Sequence, residues 1–236
     1  MESNGPAKTA QKEDDEMASL LENAEVARVL KRLHESADAN DPAVIARVRD
    51  RGSRGEVHGE SSVADLLEDA YIPVPAEVGR LLYILARSTG AKRIVEFGTS
   101  FGISTIYLAC AARENGGRVI TSELSVKKAK KAAQHLTEAG VRDVVDIREG
   151  DARATLAAMD GNVDLLFLDG WKDLYLPVLK TVEPHLRPGA LVVADDLDIF
   201  PEAHKPYLGY VRNPGNGYAS VELPLGDRLE VSLRIG

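Results

Sequence analysis

Between Ala76 and Ala194 the chain alternates short apolar runs with longer stretches of helical spacing. The pattern predicts a helix over Ala76–Ser88, a strand over Arg93–Phe97, a helix over Ile103–Glu114 and a strand over Arg118–Ser122. It continues with a helix over Val126–Ala139, a strand over Val144–Arg148, a brief helix over Ala152–Met159 and a strand over Val163–Leu168. A helix near Leu174–His185 and a strand over Ala190–Ala194 complete the run. Strands that alternate with helices imply an α/β architecture with a mostly parallel sheet, covered on both faces. The end of the chain differs. Gly217–Leu223 and Arg228–Ile235 flank Pro224-Leu225-Gly226-Asp227, which reads as an antiparallel C-terminal hairpin.

Ahead of this region the pattern is looser. Residues 1–16 are polar and aperiodic and are expected to be a disordered tail. From Met17 apolar residues return at helical spacing through Leu20, Leu21, Ala24, Ala27 and Leu30. Asp41-Pro42 has the chemistry of an N-cap and first turn, so a second helix is expected from Pro42 to Asp50. A flexible break over Arg51–Gly55, a short helix near Ser62–Asp69 and an extended Tyr71–Pro75 follow. A segment of this size buries too little surface to fold alone. Residues 17–70 are therefore expected to be a helical extension, serving residues 71–236 as a lid or a dimer contact.

Composition narrows the function. With 236 residues and 44% hydrophobic content the chain suits one large domain. A net charge of −8 argues against nucleic acid as a partner, since nothing would neutralise phosphates. The single cysteine, Cys110, excludes an internal disulfide framework, and its apolar helical setting makes it a packing residue. No apolar run reaches the length of a membrane span, and the first residues lack a signal-peptide apolar core. The expectation is a cytoplasmic protein with no membrane partner.

The first strand ends in Glu96-Phe97-Gly98, and Gly102 opens the next helix. Glycine at both places lets the backbone bend sharply and approach a ligand. The spacing is Gly-x-x-x-Gly rather than the Gly-x-Gly-x-x-Gly of a dinucleotide site, and Glu96 would repel a pyrophosphate. A carboxylate there suits a cofactor carrying an ammonium and a sulfonium. Glu123 ends the second strand, where an acid can accept both hydrogen bonds of a ribose diol. Gly150-Asp151-Ala152 ends the third, where an acid could meet an adenine amino group. Any one of these acids is more simply a loop residue or a helix cap, but three successive strand ends favour a cofactor site.

The run Val95-Glu96-Phe97-Gly98-Thr99-Ser100-Phe101-Gly102-Ile103-Ser104-Thr105 resembles motif I of class I methyltransferases. It is most similar to the small O-methyltransferases that include catechol and caffeoyl-CoA O-methyltransferases. The resemblance covers about residues 71–236. It implies a Rossmann-like methyltransferase fold with a mostly parallel seven-stranded sheet, S-adenosylmethionine as cofactor and a homodimer. It also implies that Glu96 and Ser104 hold the methionine end, that Gly98 and Thr99 form the close-approach turn, and that Glu123 holds the ribose. Asp151, Ala152 and Trp171 would surround the adenine.

Leu168-Asp169-Gly170-Trp171-Lys172-Asp173 follows the fourth strand, and Ala194-Asp195-Asp196 follows the fifth. Carboxylates at the carboxyl ends of adjacent parallel strands can converge, and three oxygen ligands suit Mg²⁺ or another hard divalent cation. Lys172 is placed to accept a hydroxyl proton. On the residues alone, a first helical turn and a capped loop explain this pattern equally well. The resemblance implies the metal: its bivalent-metal members carry Asp at Asp169, Asp-Asn or Asp-Asp at Asp195-Asp196, and a base at Lys172. Gly170 stands where the catechol enzyme has histidine.

Other features carry less. His34, His58, His135, His185 and His204 lack ligand spacing and are expected at the surface or in caps. Lys127, Lys128, Lys130 and Lys131 read as a solvated helix face. Tyr207–Tyr218 is either an acceptor-pocket loop or a plain crossover. The expected function is methyl transfer from S-adenosylmethionine to a hydroxyl of a small, catechol-like acceptor. The rivals are metal-independent N- or O-methylation, a non-catalytic cofactor-binding module and a nicotinamide-dependent oxidoreductase.

Overall fold

The computed structural model describes residues 19–54, 56, 63 and 65–236. The expected tail of residues 1–16 lies outside these residues, as do Ser62 and Ala64 of the expected helix near Ser62–Asp69, of which Val63, Asp65 and Leu66 are helical and residues 67–69 a turn. Seven strands form one sheet: β1 (Arg93–Phe97), β2 (Arg118–Glu123), β3 (Val145–Glu149), β4 (Val163–Leu168), β5 (Leu186–Ala194), β6 (Tyr218–Leu223) and β7 (Leu229–Arg234). Their order is β3-β2-β1-β4-β5-β7-β6. The first five run parallel, and β7 lies antiparallel between β5 and β6.

Strand β4 shows why the sheet is buried on both faces. In Val-Asp-Leu-Leu-Phe-Leu, Leu165 and Phe167 point to one apolar layer and Leu166 and Leu168 to the other, as the two-residue period of a strand requires. The first layer is built on α1 (Ala24–Ser53), α2 (Ala76–Ser88), α3 (Ile103–Glu114) and α4 (Val126–Glu138), with Val29, Leu33, Leu82, Ile106 and Leu136 in its core. The second is built on α5 (Ala152–Thr155), α6 (Tyr175–Val182) and α7 (Pro201–Val211), around Val178, Leu179 and Tyr207. Helix α3 is buried from Ile103 to Ala112, so its apolar character on every side is that of a helix enclosed by neighbours. Cys110 lies within it, fully buried, and burial pushes its thiol up to about 12. A thiol held protonated in this way is a packing residue.

Several expectations need correction. The N-terminal segment is one helix of 30 residues, not two, and it runs through Pro42 and through Arg51, Gly52 and Ser53. Asp41 does not cap a helix start. Its carboxylate accepts the backbone N–H groups of Tyr71 and Ile72, and packing of Val29, Leu33, Ala37 and Val44 carries the helix across the proline. Residues 201–211, left without regular structure by the sequence pattern, form α7 despite Pro206, so the expected 207–218 loop is helix as far as Val211 and has a 3₁₀ turn at Pro214–Asn216. Strand β5 begins at Leu186 rather than Ala190, with an irregular register against β4 around Pro188 and Gly189. The expected helix near Leu174–His185 has its α-helical turns only from Tyr175 to Val182, between two 3₁₀ turns. Among the described residues no helix is long and apolar enough to cross a membrane.

Candidate active site

In an open α/β sheet ligands collect beyond the carboxyl ends of the strands, where the strand order reverses. Here β1 pairs with β2 on one side and with β4 on the other, so the reversal lies at β1. A cleft of about 1730 Å³ opens at that end of the sheet. Every candidate residue that the sequence singled out for cofactor, base and metal lines it, with two exceptions, Glu96 and Asp195.

Backbone bonds past the strand ends align the acids. Asp169 N–H donates to Phe97 O at 2.9 Å, Asp195 N–H to Leu168 O at 3.0 Å, and Gly150 N–H to Glu123 O at 2.8 Å. Gly98 follows β1 at φ 104°, and a Cβ there would lie 2.5 Å from Asp169 O. Only glycine lets the turn pass this close to the fourth strand end.

Glu96 sits behind the turn, fully enclosed. Ser104 Oγ donates to its Oε1 at 2.7 Å, and the hydroxyls of Thr105 and Thr121 donate to its Oε2, each at 2.6 Å. Burial still raises its pKa above the ordinary carboxylate value, against the pull of these three hydroxyls. Ser104, unlike Glu96, reaches the cleft wall. Glu123 accepts the N–H groups of Ser100 at 2.8 Å and Ser125 at 2.9 Å, which ties the first and second strand ends together. Asp151 caps α5 by accepting Arg153 N–H at 2.8 Å, and hydrogen bonds from Arg153 lower its pKa. Ala152 and the half-buried Trp171 also line the cleft.

Past the ends of β4 and β5 three carboxyl groups meet. Asp169, Asp195 and Asp196 each present an oxygen within 4.8 Å of the others. Asp195 is buried; its Oδ1 accepts Asp196 N–H at 2.8 Å, while its Oδ2 has no hydrogen-bond partner. Burial and the neighbouring Asp196 push Asp195 up to about 7. Burial likewise holds Asp169 well above the ordinary carboxylate value, with Asp196 and Asp195 adding to it against the pull of Lys172. Asp196 occupies the left-handed region at φ 63°, a conformation that a non-glycine residue keeps only where its surroundings enforce it.

Lys172 reaches into this cluster. Its Nζ donates to Asp196 Oδ2 at 2.6 Å, to Tyr175 OH at 3.0 Å and to Asp169 Oδ1 at 3.4 Å. Burial opposes its charge, yet Tyr175, Asp169 and Asp196 together hold its pKa well above the usual lysine value. Tyr175 OH in turn donates to Asp195 O at 3.0 Å. An unpartnered buried carboxylate oxygen among three acids is the donor set of a hard cation.

Four parts of the site were not legible in the sequence. Lys128 is buried rather than part of a solvated face; its Nζ donates to Ser100 Oγ at 3.2 Å and lies 5.6 Å from the Phe101 ring centroid. Tyr71 stacks on Phe101 with ring centroids 4.2 Å apart. Tyr175 bridges the lysine and the acids. His204 is fully buried, its Nε2 3.0 Å from Asp196 O, and His135 is buried with Nδ1 2.9 Å from Phe101 O, so neither is a surface residue. Helical spacing of Tyr175, Val178 and Leu179 marked only a core stripe, and no local pattern distinguishes Lys128 from Lys130.

Comparison with known proteins agrees with this geometry. A methyltransferase-domain family model matches residues 95–197, from the middle of β1 to just past Asp196. A catechol O-methyltransferase of Mycobacterium tuberculosis is 36% identical over 137 residues, covering 58% of this chain and 62% of that protein. Catechol O-methyltransferase B of Danio rerio is 32% identical over 202 residues, covering 83% of this chain and 71% of that one. The chain thus spans somewhat under two thirds of the first relative's length. Among solved structures, cofactor-bound Rv0187 from MTB superposes with a TM-score of 0.65 at 27% identity, over 80% of this chain and 95% of that one. The O-methyltransferase TomG of Streptomyces achromogenes, in complex with SAM, gives 0.64 at 27% identity over 80% and 96%. With its sheet order, its cleft and these relatives together, the chain belongs to the family of S-adenosylmethionine-dependent O-methyltransferases that includes the catechol and caffeoyl-CoA enzymes.

Proposed function

We propose that this chain transfers the methyl group of S-adenosylmethionine to a hydroxyl of a small acceptor with vicinal oxygens, as in a catechol. The observation that carries this reading is the convergence of Asp169, Asp195 and Asp196, with Asp195 buried, where β4 and β5 end beside the cleft. Ser104, Gly98 and Thr99 would hold the methionine end, Glu123 the ribose, and Asp151, Ala152 and Trp171 the adenine. Glu96 acts from behind, as a positioning residue that orients the Ser104 hydroxyl.

In the reaction the acceptor oxygen forms a bond to the methyl carbon while the carbon–sulfur bond breaks. The products are a methyl ether, S-adenosylhomocysteine and the hydroxyl proton. The three aspartates fit a divalent cation, which when bound supplies positive charge that makes an acceptor hydroxyl more acidic. Asp169, Asp195 and Asp196 would hold it. Lys172 takes up the proton through Nζ in its amine form, and Tyr175 keeps that nitrogen beside the acids. While Asp169 and Asp196 are charged and unshared, they favour the ammonium, so proton uptake is coupled to offsetting their charge.

One observation favours a second reading. The Lys172 ammonium already neutralises part of the acidic cluster, which supports metal-independent methylation with the acids positioning the acceptor. Turnover of a catechol acceptor with and without EDTA separates the two. The metal-assisted reading expects activity to vanish in EDTA and in Asp169→Ala while S-adenosylhomocysteine still binds; full activity in EDTA overturns it.

A further inference from the structure

The cofactor turn does not stand alone. Its residue Ser100 has φ 46° and carries its Oγ 2.8 Å from Tyr71 O, to which it donates. Tyr71 belongs to the extended strap ahead of α2, and its ring stacks on Phe101 of the same turn. The next residue, Ile72, has φ 44°. For a β-branched side chain this is a strained conformation that tertiary contacts must hold. Tyr71, Ile72 and Ser100 all line the cleft, so the two residues at positive φ lie along one wall, joined through the Ser100 Oγ–Tyr71 O bond.

What holds the strap is Asp41, in the middle of α1. Its Oδ1 accepts Tyr71 N–H at 2.9 Å and its Oδ2 accepts Ile72 N–H at 2.7 Å. The carboxylate is 6% exposed and does not line the cleft. Asn40 completes the bracket, donating to Asp41 Oδ1 at 3.1 Å and to Asp69 O at 2.8 Å. No ion pair to Asp41 occurs among the described residues; its hydrogen-bond donors are the two strap N–H groups and Asn40, and the Lys128 ammonium, which also donates to Ser100, attracts it from farther off. A carboxylate that accepts two adjacent N–H groups fixes the peptide between them, and with it the φ angle of the second residue.

We infer that Asp41 is a positioning residue for the methyl donor: it holds Ile72 in its strained conformation and thereby presents Tyr71 O to Ser100 of the cofactor turn. The N-terminal extension is then part of the donor site rather than a cover placed over it. This rests on the methyltransferase reading above. Binding is local to the donor, because neither Asp41 nor the strap touches the carboxylate cluster.

The test is calorimetric titration of S-adenosylhomocysteine into the full chain, with steady-state kinetics alongside. Asp41→Ala is expected to raise the Kd roughly tenfold or more, the scale of two lost charge-assisted hydrogen bonds. KM for S-adenosylmethionine should rise in parallel, with kcat at saturating donor and KM for the acceptor within about twofold of wild type. Asp41→Asn keeps one acceptor oxygen and should fall between the two, which decides the matter if Asp41→Ala does not fold. Ile72→Gly in the Asp41→Asn background should recover part of the affinity, because glycine adopts positive φ without strain; a merely structural role for Asp41 predicts no such rescue. Wild-type affinity in the Asp41 variants, or a loss confined to kcat, overturns the inference. Failure of the wild-type chain to bind S-adenosylhomocysteine overturns the methyltransferase reading instead.

Discussion

The ring of Phe97 occupies the space that any side chain at position 170 would need. Phe97 ends β1, packs edge-on to Tyr175 with centroids 6.4 Å apart, and is held there by the same tyrosine that contacts Lys172. The glycine that distinguishes this chain from the catechol enzyme's motif is therefore a packing requirement. We expect Gly170→Ala to lower stability by about 1–3 kcal/mol through overpacking. Thermal unfolding measures this, and Phe97→Leu in the same background should recover part of the loss.

A second expectation concerns pH. In the native state Asp195 is pushed up to about 7 from an ordinary 3.8 by burial and by Asp196. Between those two values the folded chain binds more protons than the unfolded one, so stability falls as pH rises through this window. In EDTA the melting temperature should drop from about pH 5 to about pH 8, and Asp195→Asn should reduce that slope, with Asp169 contributing the remainder. Added Mg²⁺ should raise the melting temperature more at the alkaline end. A slope unchanged in Asp195→Asn counts against this assignment.

Glu96 offers a third. Three hydroxyl donors converge on its two oxygens, and a glutamine would turn an amide nitrogen toward one or two of them. Glu96→Gln should cost about 1–3 kcal/mol, the range for an unsatisfied buried group. Because Ser104 loses its acceptor, S-adenosylhomocysteine binding should weaken as well. Urea unfolding and a ligand titration report the two effects separately.

The fourth lies under the loop that carries Asp195 and Asp196. Glu230 of β7 pairs in register with Ala194, immediately before Asp195, and is fully buried. Arg212 donates to it at 2.9 Å from a half-exposed position. Arg212→Ala strands a buried carboxylate and should cost about 2–3 kcal/mol, below the range for a wholly buried pair. Replacing Glu230 by glutamine in that background should restore much of the stability.

The parallel sheet was legible because its central strands β1 and β4 are short, largely apolar runs bounded by glycine and acid, and each alternates between two buried faces. The cleft was legible because acids cluster at strand ends, where the fold places ligands. What escaped depends on contacts between distant residues. Asp41-Pro42 has the local chemistry of a helix start, and only the N–H groups of Tyr71 and Ile72, thirty residues on, show its other use. Helix α7 carries Pro206 and Gly209, each of which lowers local helix propensity, and its stability comes from burying His204, Tyr207 and Val211. Lys128 differs from Lys130 only in the side of α4 it occupies.

The pairing of Lys172 with the acid cluster has a consequence for which molecules can enter. Three carboxyl groups share one ammonium, and burial holds Asp169 and Asp195 toward their protonated forms, so without a bound cation this end of the cleft turns negative as they ionise. An acceptor that arrives uncharged and ionises only in place meets no barrier from that field. One that already carries a carboxylate or phosphate beside its hydroxyls must approach against it, so the site discriminates by ionisation state before it discriminates by shape.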